Sequence, residues 1–154
     1  MFVFSSTLVL TFSFSFLCKL CAFAGNISSM TENEISKIIV DAAYKIHTTL
    51  GPGLLESVYE AVLAHELEQR RCKVIRQQAI PVVYESVQLD VGFRADLIVG
   101  DKVIIEIKSI EAVAPIHLKQ LRTYLRLTNL HLGLLINFNV ELIKDGIRRV
   151  VNQL

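Results

Sequence analysis

Cysteine, proline and tryptophan are scarce in this chain: three Cys, three Pro and no Trp among 154 residues. The scarcity is uneven, because Cys18 and Cys21 fall within the first 29 residues and leave Cys72 alone in the rest. A single thiol makes no intramolecular bridge, so a disulfide framework is excluded for residues 30–154. Zinc-type ligand spacing, a nucleophile elbow, a phosphate-cradling glycine loop and a dinucleotide fingerprint are also missing. Gly51-Pro52-Gly53 matches none of them and reads as helix punctuation. An excess of either charge is lacking too. Sixteen basic residues oppose fifteen acidic ones, and setting aside Lys19 leaves residues 30–154 neutral. Nucleic-acid-binding domains usually carry a basic balance, so any phosphate-binding surface here has to be local. Apolar residues, by contrast, make up 52% of the chain, enough to exclude disorder and to fill one core of ordinary domain size.

Residues 1–29 differ from the remainder. They hold six of the eight Phe and one charge, Lys19. The uncharged run over 2–17, followed by Ala22-Phe23-Ala24-Gly25, has the outline of an exported leader. However, no Lys or Arg precedes it, and it is short for a membrane span. Cys18 and Cys21 form a CxxC without a second pair and are read as incidental. Met30 stands directly before Thr31-Glu32-Asn33-Glu34, whose spacing predicts a capping box and hence a helix start. The expected organisation is an upstream apolar extension over 1–29 and one domain over 30–154. A cytoplasmic location without membrane contact follows, with export or anchoring as the alternatives if 1–29 is retained.

Within the domain, Ile35, Ile38, Ile39, Ala42 and Ile46 recur at helical spacing and predict a helix over 32–48, ended by the Gly-Pro-Gly. A second helix is expected over 54–71. Short β-rich runs follow at 73–77, 79–84, 87–99 and 103–108, and Pro81 marks its strand as an edge or as beginning there. A third helix begins near Pro115, and 132–137 reads as a buried strand. A final hairpin is expected between 140–143 and 147–151, turning at Asp145-Gly146. Two helices, a strand meander and a helix between strands make the class α/β.

Strand alternation in 103–108 puts Val103, Ile105 and Ile107 on one face, and Ile104, Glu106 and Lys108 on the other. In the preceding strand Phe93, Ala95, Leu97 and Val99 read as one apolar face opposite Asp96. If both apolar faces cover the same helices, Asp96, Glu106 and Lys108 converge where no packing reason accounts for two acids and an ammonium. The convergence sets a condition on register. A two-residue turn at Gly100-Asp101 would put the two acids on opposite faces, so a three- or five-residue connection or a bulge is predicted. Two carboxylates beside a lysine suit Mg²⁺, with Mn²⁺ as an alternative, and Lys108 suits neutralising charge on a phosphate better than acting as a base.

The same residues carry a resemblance. Gly53-Leu54-Leu55-Glu56-Ser57-Val58-Tyr59 spells GxxExxY, and Asp96 precedes Glu106-Ile107-Lys108 as D…ExK. Together they resemble the GxxExxY proteins of the PD-(D/E)XK nuclease superfamily, over nearly all of residues 31–153. The resemblance implies a restriction-endonuclease-like core, a mixed β-sheet flanked by α-helices. It implies Asp96, Glu106 and the backbone carbonyl of Ile107 as metal ligands, Lys108 as the catalytic lysine, and Glu56 as a further acid of the cluster. Gln120 and Tyr124, four apart on one helix, are similar to the QxxxY motif that helps hold site and substrate, and His117 lies one turn earlier. Lys119, Arg122 and Arg126, and separately Arg70, Arg71, Lys73 and Arg76, are candidate phosphate contacts. The expected function is metal-dependent hydrolysis of nucleic acid, DNA ahead of RNA. The alternative is a non-catalytic binding module or homo-oligomeric interaction protein on the same fold.

Overall fold

The computed structural model describes residues 29–153, with the backbone alone at 84, 88 and 90–92. Except for Ser29, the apolar extension lies outside the described residues, and with it the leader, anchor and Cys18/Cys21 readings. No described helix is long and apolar enough to cross a membrane.

Helix α1 (Glu32–Leu50) starts at the expected capping box: Thr31 Oγ1 accepts from the Glu34 N–H at 3.3 Å, and the Glu34 carboxylate accepts from the Thr31 N–H at 2.8 Å. Gly51, at φ 70°, turns the chain out of the helix. Helix α2 (Glu56–Gln69) is shorter than expected at both ends, since Leu55 is already extended and Arg71 takes a left-handed φ of 63°. Between the helices, the fully buried Tyr59 stacks on Phe138 with ring centroids 4.2 Å apart. Its hydroxyl donates to the Gly51 carbonyl at 2.6 Å and accepts from the Leu54 N–H at 3.3 Å. The tyrosine of the GxxExxY segment therefore pins the inter-helix turn to the core. Tyr59→Phe keeps the ring stack and removes both hydrogen bonds, so it is expected to cost about 1 kcal/mol in thermal unfolding.

Among the described residues, strands β1 (Val74–Tyr84), β2 (Val87–Val99), β3 (Val103–Lys108), β4 (Leu132–Asn137) and β5 (Ile147–Val151) form one five-stranded sheet in that order. β3 and β4 are parallel, joined by helix α3 (Pro115–Thr128), and the other neighbours are antiparallel. This is the mixed, helix-flanked α/β sheet of a restriction-endonuclease-like fold. β1 is an edge strand, and its register shifts between Ile80 and Val82, where Pro81 donates no hydrogen bond. The runs at 73–77 and 79–84 are one strand, not two, because β1 continues through Gln77 in spite of its φ of 50°.

The expected hairpin at Asp145-Gly146 is corrected. Residues 140–143 make no strand; β5 pairs with β4, and the one-turn helix α4 (Ile143–Gly146) lies between them. A Cβ on Gly146 would stand 2.1 Å from the Asn137 carbonyl oxygen. The returning chain presses so closely on the end of β4 that the glycine serves a close approach rather than a turn.

Two apolar clusters cover the sheet. α1 and α2 pack on Leu97, Val99, Val103, Ile105, Ile107, Leu134 and Ile136, while α3 packs on Ile98, Ile104, Leu135 and Val150. Each fully buried Leu or Ile side chain contributes about 2 kcal/mol. β3 alternates between the clusters as expected, but β2 does not. Leu97 and Val99 join the first cluster, whereas Ala95 joins the second with Phe93 against it. The strand changes face at Asp96, beside the left-handed Gln77 of β1.

Candidate active site

The connection from β2 to β3 has three residues, Gly100, Asp101 and Lys102, because Val99 faces Val103. Left-handed φ values of 61° at Gly100 and 58° at Asp101 make the reversal. The register continues through Ile98↔Ile104 and Leu97↔Ile105, so the next step along it faces Asp96 with Glu106. This is the odd-length connection that places both acids on one side of the sheet.

The ladder ends there. Instead of a β2 carbonyl, the Asp96 carboxylate accepts the Ile107 N–H, Oδ2 at 2.8 Å. The aspartate side chain thus supplies a bond between the two strands past the last rung of the ladder. Glu106 is only 3% exposed, and its Oε1 accepts from Lys108 Nζ at 2.7 Å. Its other oxygen, Oε2, is buried with no hydrogen-bond partner.

Burial pushes the Asp96 carboxyl above the usual carboxylate range, opposed by the Ile107 N–H and the Lys108 charge. Glu106 is raised as well, first by burial and then by the Asp96 charge. Burial alone would lower Lys108, but its hydrogen bond to Glu106 and the charges of Glu106, Glu56 and Asp96 outweigh burial and raise it. The ammonium stays protonated at neutral pH, which suits charge neutralisation and not proton abstraction.

Other expected residues divide between the site and its frame. Glu56, exposed on the first turn of α2, accepts the Ser109 N–H at 3.1 Å, and Ser109 Oγ donates to the Leu54 carbonyl at 2.6 Å. These bonds tie the chain leaving β3 to the start of α2, and an open cleft of about 650 Å³ lies between them, lined by Gly53, Glu56, Ser109 and Asn139. On α3, Gln120 Nε2 donates to the Tyr124 hydroxyl. Tyr124 is 2% exposed and packs at a tilt on Phe93, so its ring belongs to the core edge, while burial and the nearby acids raise its hydroxyl pKa. His117 turns back to accept the Ala114 N–H and caps α3. Lys119 and Arg122 are exposed and form no ion pair among the described residues. The second basic group is largely spent on pairs: Arg70 with Glu66, Lys73 with Asp101 and Arg76 with Glu60.

Three residues escaped the reading of the sequence. Glu60, 7% exposed, accepts from Arg76 at 3.0 Å and from Gln77 at 2.6 Å. Its signal was the four-residue spacing from Glu56, which puts both on one helix face. Gln77 and Asn137 left no local signal. Asn137, buried at the end of β4, accepts the Ile110 N–H at 3.1 Å and donates to the Ile110 carbonyl at 2.8 Å, fixing the chain just past Lys108.

The donor set fits a hard divalent cation. Glu106 Oε2 is an orphaned buried oxygen, and Asp96 Oδ1 has only a 3.5 Å contact from Gln77. Mg²⁺ commonly binds through one or two carboxylates and completes its shell with water and phosphate. Among the described residues no three His, Cys, Asp or Glu side chains group closely enough to hold one ion, so Glu56 does not join the two carboxylates in a single ligand set.

No curated protein and no solved structure matches the chain. A family model of the PD-(D/E)XK nuclease superfamily, whose nucleases typically use divalent metals, matches residues 33–150. The match spans both acids, the lysine and the whole described sheet apart from its last residue, and by it the chain belongs to the PD-(D/E)XK nuclease superfamily.

Proposed function

We propose that the protein is a divalent-metal-dependent nuclease of the GxxExxY type that hydrolyses phosphodiester bonds, in DNA ahead of RNA. The single observation that carries this reading is the buried, partnerless Oε2 of Glu106, a residue that the register sets opposite Asp96 and whose other oxygen holds Lys108. Asp96, Glu106 and the Ile107 carbonyl hold Mg²⁺ or Mn²⁺. Bound there, the cation supplies Lewis acidity toward water and phosphate oxygen. Asp96 keeps its orientation through the Ile107 N–H. Lys108 sets its positive charge against the negative charge that grows on the phosphoryl oxygens, and Glu106 fixes where that ammonium points. Glu56 adds charge to the cluster from α2, and Gln120, Lys119 and Arg122 on α3 meet the substrate backbone. A cytoplasmic setting belongs to the same reading, since residues 30–154 have one thiol and no disulfide to form.

The test is cleavage of a mixed panel of single- and double-stranded DNA and RNA in Mg²⁺, Mn²⁺ and EDTA. Cleavage is expected in metal only, and Lys108→Ala is expected to lower the rate at least about 100-fold with circular dichroism unchanged. Cleavage that survives EDTA, or is equal in Lys108→Ala, rejects the assignment. The ion pairs of Arg70, Lys73 and Arg76, together with the neutral charge of residues 30–154, favour a second reading as a nuclease-fold binding module. Binding without cleavage in either metal selects that reading.

A further inference from the structure

Asp96 stands opposite an anomaly. The pairs Arg76↔Leu97 and Gln78↔Ala95 flank Gln77 and Asp96, and Gln77 itself takes φ 50° in the middle of β1. A left-handed residue inside a strand is unfavourable for any side chain that branches from a Cβ, and such outliers gather at functional sites. Its effect on direction is specific. Neighbouring residues of a regular strand point to opposite faces, yet Arg76 and Gln77 both reach the Glu60 carboxylate, at 3.0 and 2.6 Å. The twist at Gln77 brings its amide around to the α2 side, where Glu60 Oε2 takes one hydrogen and Asp96 Oδ1 lies at 3.5 Å, the outer limit for the other. Both oxygens of Asp96 are then addressed, Oδ2 by the Ile107 N–H and Oδ1 by Gln77. Glu60 is buried and clamped by Arg76, so the amide it grips has little freedom.

We infer that Gln77, gripped by Glu60, is a positioning residue that fixes the rotation of the Asp96 carboxylate about its Cβ–Cγ bond. The inference rests on the reading of Asp96 as a metal ligand. It assigns to β1, outside the D…ExK pattern, the contact that orients the first acid of the site. Partners that orient a ligating carboxylate typically affect metal affinity 10- to 100-fold.

Two variants separate this role from a structural one. Gln77→Gly and Gln77→Ala remove the same amide, but only glycine relieves the left-handed strain that glutamine and alanine share. Gln77→Gly is therefore expected to melt above Gln77→Ala, which falls below the wild-type temperature because it loses the bond to Glu60 and keeps the strain. Both are expected to lose about 10-fold in Mn²⁺ affinity, read by the electron paramagnetic resonance of free Mn²⁺. In both, the metal-free Ile107 amide is expected to move upfield and exchange faster, because its acceptor is no longer held. Wild-type Mn²⁺ affinity and an unmoved Ile107 amide in Gln77→Gly overturn the inference, as do losses that only follow the melting temperature. Should the wild-type protein bind no Mn²⁺, the metal reading of the site fails instead, and the Ile107 amide decides the positioning role by itself.

Discussion

In EDTA at neutral pH, Asp96→Asn is expected to unfold at a higher temperature than the wild-type protein, and in Mg²⁺ it is expected to lose at least about 100-fold in cleavage rate. The two effects have one origin. Asparagine still offers an oxygen to the Ile107 N–H, so the rung that Asp96 supplies to the β2–β3 ladder survives. What disappears is a half-buried negative charge set among Glu56, Glu60 and Glu106, where burial outweighs the opposing help of the Ile107 N–H and Lys108. A carboxyl whose folded pKa lies above its unfolded value binds its proton more tightly in the folded state. Its stabilising contribution is complete below the unfolded value, about 3.9 for Asp and 4.3 for Glu, and is lost as pH rises through the raised folded value. Asp96 and Glu106 are both raised. The metal-free wild-type protein should accordingly lose stability relative to Asp96→Asn as pH climbs from about 4 toward neutrality. Divalent cation should reverse the order, since a ligand at 100 times its Kd stabilises the folded state by about 2.7 kcal/mol and the variant has given up a ligand. Melting curves of both proteins from pH 4 to 8, with EDTA and with Mg²⁺, check each step. A metal-free Asp96→Asn that melts below the wild-type protein at pH 7 would show that the aspartate charge serves the fold rather than strains it.

Gly146→Ala should be the most damaging single methyl in the domain. The added Cβ would sit 2.1 Å from the Asn137 carbonyl oxygen and 3.0 Å from Val140 Cγ2. The first of these neighbours is backbone and has no rotamer to escape into. Relief requires moving the end of β4, where Asn137 holds the chain that leaves Lys108. Overpacking of this kind costs about 3 kcal/mol, which for a domain of this size is about 10 °C in Tm. Because Phe138 donates its N–H to the Lys108 carbonyl at 2.8 Å, the same shift should also weaken cleavage. Calorimetry gives the first number and the nuclease assay the second; a Tm within 2 °C of wild type would mean that the return of the chain to β5 is looser than its geometry implies. By comparison, the nearest atoms to an alanine Cβ at Gly133 belong to the side chain of Leu121, at 2.9 Å and beyond, and none of these is backbone.

The parts of the site legible in the sequence were those set by short-range periodicity. Glu106 and Lys108 lie two apart in a strand and must share a face, and Asp96 joins them only if the β2–β3 connection is odd in length. The apolar face of β3 under α1 and α2 enforces that register, because a one-residue slip would turn Ile105 and Ile107 away from that cluster and put Glu106 in their place. The capping box at Thr31 and the proline at the start of α3 are likewise local and appeared where expected. The basic group at 70–76 shows the converse: side-chain charge is visible in sequence, but its pairing with Glu66, Asp101 and Glu60 is a matter of packing.

The order of the sequence alone thus determined the starts of α1 and α3, the alternation of β3 and the pairing parity that allows two acids to meet, since each depends on residues at most a few bonds or one turn apart. Tertiary structure decided the rest. β2 exchanges one helix layer for the other at Asp96, Gln77 reaches that aspartate from an edge strand while Glu60 of a helix holds its amide, and Asn137 closes the far side from β4. Asp145-Gly146, a hairpin turn by composition, became part of a helical turn because the Asn137 carbonyl leaves no space for a side chain. The physical reason is the same in each case: these groups are placed by contacts between segments distant along the chain, and no local propensity encodes where a distant carbonyl or carboxylate will stand.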